Sequence, residues 1–108
     1  MKFEVTWRNM EQDEALAARV AQKFEKVARH LRGPVEGHVI FRTEGRLVHA
    51  ELLVSGAGER LVGNAEADRA GEAADAVFAK ISRAARRHRE RTIDRWHQGL
   101  DKAQREAV

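Results

Sequence analysis

Residues 38–54 read HVIFRTEGRLVHAELLV. Val39 and Phe41 alternate with His38, Ile40 and Arg42. After four residues, Val48, Ala50, Leu52 and Val54 alternate with Leu47, His49, Glu51 and Leu53. A period of two marks a half-buried strand, because successive side chains leave opposite faces of the pleat. The connection Thr43-Glu44-Gly45-Arg46 has the length and the glycine of a hairpin turn. These 17 residues therefore predict two antiparallel strands with one dry and one wet face. Ser55-Gly56-Ala57-Gly58 makes a second turn, which leads into a weaker strand over about residues 60–65.

The pattern ahead of this hairpin differs. Lys2 to Trp7 alternates, with Phe3, Val5 and Trp7 on one side. From about Asp13 to Arg32 the period becomes helical, and Leu16, Val20, Phe24, Val27 and Leu31 form one stripe. Asp13 is the expected N-cap and Gly33-Pro34 the stop. A last helix starts near Asp68 and keeps a clear period to about Thr92. The order is β-α-β-β-β-α, an α+β domain with a four-stranded mixed sheet. The first helix stands in a crossover position, which predicts a parallel pairing of the strands on either side of it. Each helix has one apolar face, so both should pack on one side of the sheet. Residues 1–95 form the domain, and 96–108 read as a tail that frays.

The last helix carries the strongest functional signal. KISRAARRHRERTIDR, residues 80–95, holds seven Lys or Arg against two acids. At about 100° per residue, Lys80, Arg83, Arg87, Arg91 and Arg95 share a stripe. Val77, Phe78, Ile81 and Ala85 occupy an adjacent one. One face can bury while its neighbour presents a row of cations suited to nucleic-acid phosphates. A solvated helix surface explains the same charges, since Arg favours helices. Arg19, Lys23, Lys26 and His30 form a second basic stripe, on the same rotational side of the first helix's apolar face. If the helices run parallel, one stripe borders the groove between them and the other the outer flank.

Other features restrict the function. The 108 residues carry a formal charge of +3, and the acids concentrate in residues 50–75. There is no cysteine, hence no disulfide framework, thiolate metal site or Cys nucleophile. No phosphate-cradling glycine loop, His-Glu-x-x-His or nucleophile-base pair is visible, so no enzymatic role, cofactor or small-molecule substrate is expected. No apolar run is long enough for a membrane span, and the expected location is the cytoplasm. His38, His49 and Glu51 would approach one another on the outer sheet face in a simple hairpin register. Histidine and glutamate on a solvent-facing sheet surface are ordinarily just hydrated, and no metal is expected. Trp7 belongs to the inward face of its strand. His88, at the edge of an apolar stripe, suits either a partly buried hydrogen bond or an RNA contact.

The whole arrangement resembles the ribosome hibernation promoting factor and ribosome-associated inhibitor family over about residues 2–95. In EALAARVAQKFEKVARHL, residues 14–31, Glu14, Ala15, Leu16, Lys23, Phe24 and Lys26 match that family's first helix, and Asn9 matches a residue common before it. Glu72, Ala73, Ala74 and Asp75, then Lys80, Ile81 and Arg83, then Arg86, Arg87, His88, Arg89 and Arg91, resemble its second helix. Two departures stand out: Ala70-Gly71 replaces a Met-Tyr pair, and Ala84-Ala85 replaces Gln-Leu. The chain's length resembles the short members, which lack a second, ribosome-pairing domain. The resemblance implies a monomer that binds the small ribosomal subunit and its RNA near the decoding site, silencing idle ribosomes. The residues expected to contact RNA are Lys23, Lys26, Lys80, Arg83, Arg86, Arg87, Arg89 and Arg91. The rival readings are a general double-stranded RNA-binding module and a regulator whose basic helix meets an acidic protein.

Overall fold

A computed structural model describes the backbone of residues 2–56 and 58–106, and the side chains through Glu90 except that of Ala57. Its elements are β1 (Lys2–Arg8), α1 (Glu14–Ala28), β2 (Glu36–Glu44), β3 (Leu47–Gly56), β4 (Glu59–Ala67) and α2 (Ala70–Glu106). The expected α+β order holds. The sheet runs β1-β2-β3-β4, with β1 and β2 parallel and the two later pairings antiparallel. The helical crossover thus gives the parallel pair anticipated for it.

Register sorts the strands into inner rows. Phe3, Gly37, Val54 and Leu61 lie side by side; so do Val5, Val39, Leu52 and Gly63; so do Trp7, Phe41, Ala50 and Ala65. The helices cover these rows and close one core. Leu16, Val20, Phe24 and Val27 come from α1, and Ala73, Ala74, Val77, Phe78, Ile81 and Ala85 from α2. Phe24, Phe41 and Phe78 all belong to it, as their positions in the apolar stripes predict. Phe3 links two of them, stacked on Phe24 at 4.6 Å and edge-on to Phe78 at 6.5 Å. Trp7 stacks on Phe41 at 4.9 Å, so its ring serves the core.

Two glycines set how closely the helices approach. A Cβ on Gly37 would overlap the Phe24 ring, so β2 leaves that space for α1. A Cβ on Gly63 would stand 3.1 Å from Ile81, tighter than ordinary carbon contact. Together with Ala50 and Ala65, Gly63 gives the β3–β4 half a low surface on which α2 lies.

Element ends depart from the periodic reading in instructive ways. Asp13 does cap α1, accepting from Leu16 N at 3.1 Å. The helix stops at Ala28 rather than Arg32. His30 N and Leu31 N reach back only three residues, to Val27 O and Ala28 O, tightening the chain into Gly33, whose φ is +75°. Leu31 remains buried, and so it extended the apolar stripe past the true helix end. β4 reaches Ala67, longer than the weak strand read at 60–65. The α2 backbone is helical to Glu106. The side chains of Arg91, Arg95, Trp96 and the rest of the 96–108 segment lie outside the described residues.

Candidate nucleic-acid interface

α2 buries the face that its spacing indicates. Val77, Phe78, Ile81 and Ala85 are each 2% exposed or less, whereas Lys80, Arg83, Arg86, Arg87 and Arg89 are exposed. Lys80 donates from Nζ to the backbone carbonyl of Asn64 at 2.6 Å. Asn64 lies on β4, the outer strand, so the stripe begun by Lys80 runs along the outer flank of the domain. Lys80, Arg83, Arg86 and Arg87 line one open recess. Ideal helical spacing puts Arg83 and Arg87 within about 60° of Lys80, Arg86 on the outward face, and Arg89 on the opposite side. The arginines therefore fan around the exposed half of α2 rather than forming one narrow row. Arg91 falls outside the described side chains.

The α1 stripe has a different setting. β4 runs parallel to β1, and the short turn at Asp68-Arg69 reverses α2 over β3 and β4. α1 also reverses from β1, so the two helices run parallel. Its basic stripe then borders the inter-helix groove, one of the two placements that spacing left open. Arg19 donates to Asp75 of α2, and Lys23 Nζ lies 3.2 Å from the same carboxylate oxygen. The Arg19 hydrogen bond holds the Asp75 carboxyl below its ordinary pKa; desolvation opposes this, and Lys23 adds to it. Thus Lys23, a predicted RNA contact, already has an anionic partner. Lys26 lies three residues farther along the same stripe and is exposed.

The charge pattern alone does not indicate the Asp75 bridge. Asp75 is about 140° from Lys80 around α2, off the basic stripe. The available signal was Arg19 and Lys23 at a spacing of four on one face, which can share an acid on a neighbouring helix.

The remaining candidates separate. His38 Nε2 lies 2.7 Å from Thr6 Oγ1. His49 instead faces Arg42 across β2–β3, and its ring nitrogens lie 3.4 Å from Glu66 and 3.1 Å from Asn64. Arg42 is four residues from His38, about 13 Å along a strand. The two histidines therefore do not converge with Glu51 on a metal position. His88 is partly buried, with Nδ1 3.5 Å from a Glu59 carboxylate oxygen. Among the described residues no helix is long and apolar enough to cross a membrane.

Residues 3–93 match the family model described as sigma 54 modulation protein / S30EA ribosomal protein. The chain belongs to this family. The fold of this S30EA family member is shared with solved structures of low sequence identity. The Protein Y N-terminal domain of Thermus thermophilus is 21% identical, with a TM-score of 0.75 over 82% of this chain and 99% of that one. A ribosomal subunit interface protein from Coxiella burnetii is 17% identical, with a TM-score of 0.67 over 83% and 99%. A comparison with curated protein sequences finds no match. The family description indicates a ribosome-associated protein, and the two solved structures show the fold.

Proposed function

We propose that this protein is a cytoplasmic hibernation factor that binds the small ribosomal subunit near the decoding site and blocks mRNA and tRNA there in stressed or stationary cells. The observation that carries this reading is the exposed recess of Lys80, Arg83, Arg86 and Arg87 on a helix whose other face is locked into the core. Arg89 and Lys26 extend the cationic surface, and Arg91 is proposed as a further phosphate contact. Lys23 joins it where a phosphate displaces it from Asp75. Folded ribosomal RNA presents phosphates and 2′-hydroxyls on a fixed shape, which a rigid cationic helix can read without base-specific contacts. Occupying the mRNA and tRNA path stops translation by exclusion alone. No cofactor or bond-making step is needed, and the free protein acts as a monomer.

Salt dependence tests the mechanism. With about five phosphate contacts, binding to small subunits should follow a log–log salt slope of about −3.5 to −4.5. Reversing Arg83 and Arg87 to Glu should leave circular dichroism and melting nearly unchanged, since exposed substitutions move stability by only about 0.5 kcal/mol each. The variant should neither sediment with ribosomes nor inhibit translation in vitro. Wild-type sedimentation and inhibition by the folded variant would remove α2 from the interface. Equal competition by an unrelated RNA duplex would instead favour a general double-stranded RNA-binding module.

A further inference from the structure

We propose that Asp75 is a specificity-determining residue of the RNA surface: an internal counter-ion that withholds Arg19 and Lys23 from generic polyanions. The inference rests on the ribosome-binding reading above. One carboxylate of α2 engages both cations of α1 across the inter-helix groove. Arg19, Lys23 and Asp75 together present one net positive charge instead of two. A phosphate approaching this point also approaches a carboxylate.

The arrangement holds Arg19 where it would not otherwise rest. A Cβ added to Gly71 would stand 3.5 Å from Arg19 Nη1, so the guanidinium lies over the first turn of α2. A helix N-terminus carries positive partial charge and repels a cation. Asp75, one turn farther along, supplies the compensating anion. Side chains of Arg19 and Asp75 are each about half exposed, at 48% and 49%, so phosphate can reach the pair. A polyanion lacking a phosphate fitted to the groove meets the exposed cations of α2 and Lys26 but not the paired Arg19 and Lys23. A surface with a phosphate in that position can take over Arg19 and Lys23 in addition. Asp75 thereby weakens loose binding more than fitted binding.

The test compares salt titrations of wild type and Asp75→Asn on small ribosomal subunits and on an unrelated RNA duplex. On the duplex, Asp75→Asn should steepen the slope by about 0.9 to 1.8, one to two more phosphates, and tighten binding roughly tenfold at 0.1 M salt. Affinity for subunits should rise less, so selectivity falls. Asp75→Glu, which keeps the charge, should retain wild-type selectivity. Arg19→Met and Lys23→Met added to Asp75→Asn should cancel the gain. An unchanged duplex slope in Asp75→Asn would overturn the inference, as would a gain that survives loss of both cations or a Glu variant as unselective as the Asn one. Failure of the wild-type protein to bind small subunits would overturn the functional reading instead, which the duplex titration does not address.

Discussion

A methyl group added at Gly37 should destabilise the domain although it touches no cation. The Cβ of Gly37→Ala would stand 2.8 Å from Phe24 Cδ2 and 2.9 Å from Cζ, and nearer still to Cε2. Carbon atoms in favourable contact stand about 3.5–4.0 Å apart, so the ring must retreat by roughly 1 Å. Phe24 is fully buried and stacks on Phe3 at 4.6 Å, which leaves it no open direction. Overpacking of this kind costs about 1–3 kcal/mol. Replacing glycine also removes freedom from the unfolded chain, which offsets about 0.4–1 kcal/mol. A net loss of about 1–2 kcal/mol should lower the melting temperature by roughly 5–15 °C in a domain this small. Calorimetric melts of Gly37→Ala, Phe24→Leu and the double variant provide the assay. Leucine removes the ring edge, so the double variant should be more stable than the sum of the single losses allows. Wild-type melting in Gly37→Ala, or strict additivity in the cycle, would show that β2 and α1 are not in the contact described here.

Two further outcomes follow from the same structure. Phe78→Ala, at a site 2% exposed and edge-on to Phe3, should cost about 3–5 kcal/mol by denaturant unfolding, and a wild-type midpoint would contradict the assigned face of α2. The folded-state pKa of Asp75 is lowered, so its contribution is present above the ordinary value of 3.8 and is lost as pH falls through the lowered one. Asp75→Asn should therefore be modestly less stable than wild type at neutral pH, the pair being half exposed, and the two curves should converge as the wild-type carboxyl protonates in acid; a deficit of equal size at every pH would contradict the bridge.

Residue pattern exposed much of this architecture because the sheet has one dry face. A strand dry on one side must alternate, and Val39, Phe41, Ala50, Leu52 and Val54 do so and are buried. The face of α2 was legible for the analogous reason at helical period. What stayed hidden depends on distances between elements. Leu31 extends the stripe of α1, yet the chain has already tightened into short-range turns around it. Gly37 breaks the apolar alternation of β2, and its inward place makes sense only once Phe24 is seen above it. His38 and His49 lie on the same outer face, but the hairpin register decides their separation. Lys80, Arg83 and Arg87 were visible as one stripe of α2. The partner of Lys23 was not, because helix packing selects which acid faces it.

The lysine on the flank of β4 has a consequence for how the molecule keeps company with copies of itself. A terminal strand carries carbonyls and amides with no neighbour, a ready template for another chain to pair with. On β4 the ammonium of Lys80 lies over one such acceptor, the Asn64 carbonyl, at 2.6 Å. An incoming strand must evict a hydrated charge before its first hydrogen bond can form there. Lys80→Met takes away that guard together with a cation, so loss of solubility through edge pairing can accompany weaker binding to RNA.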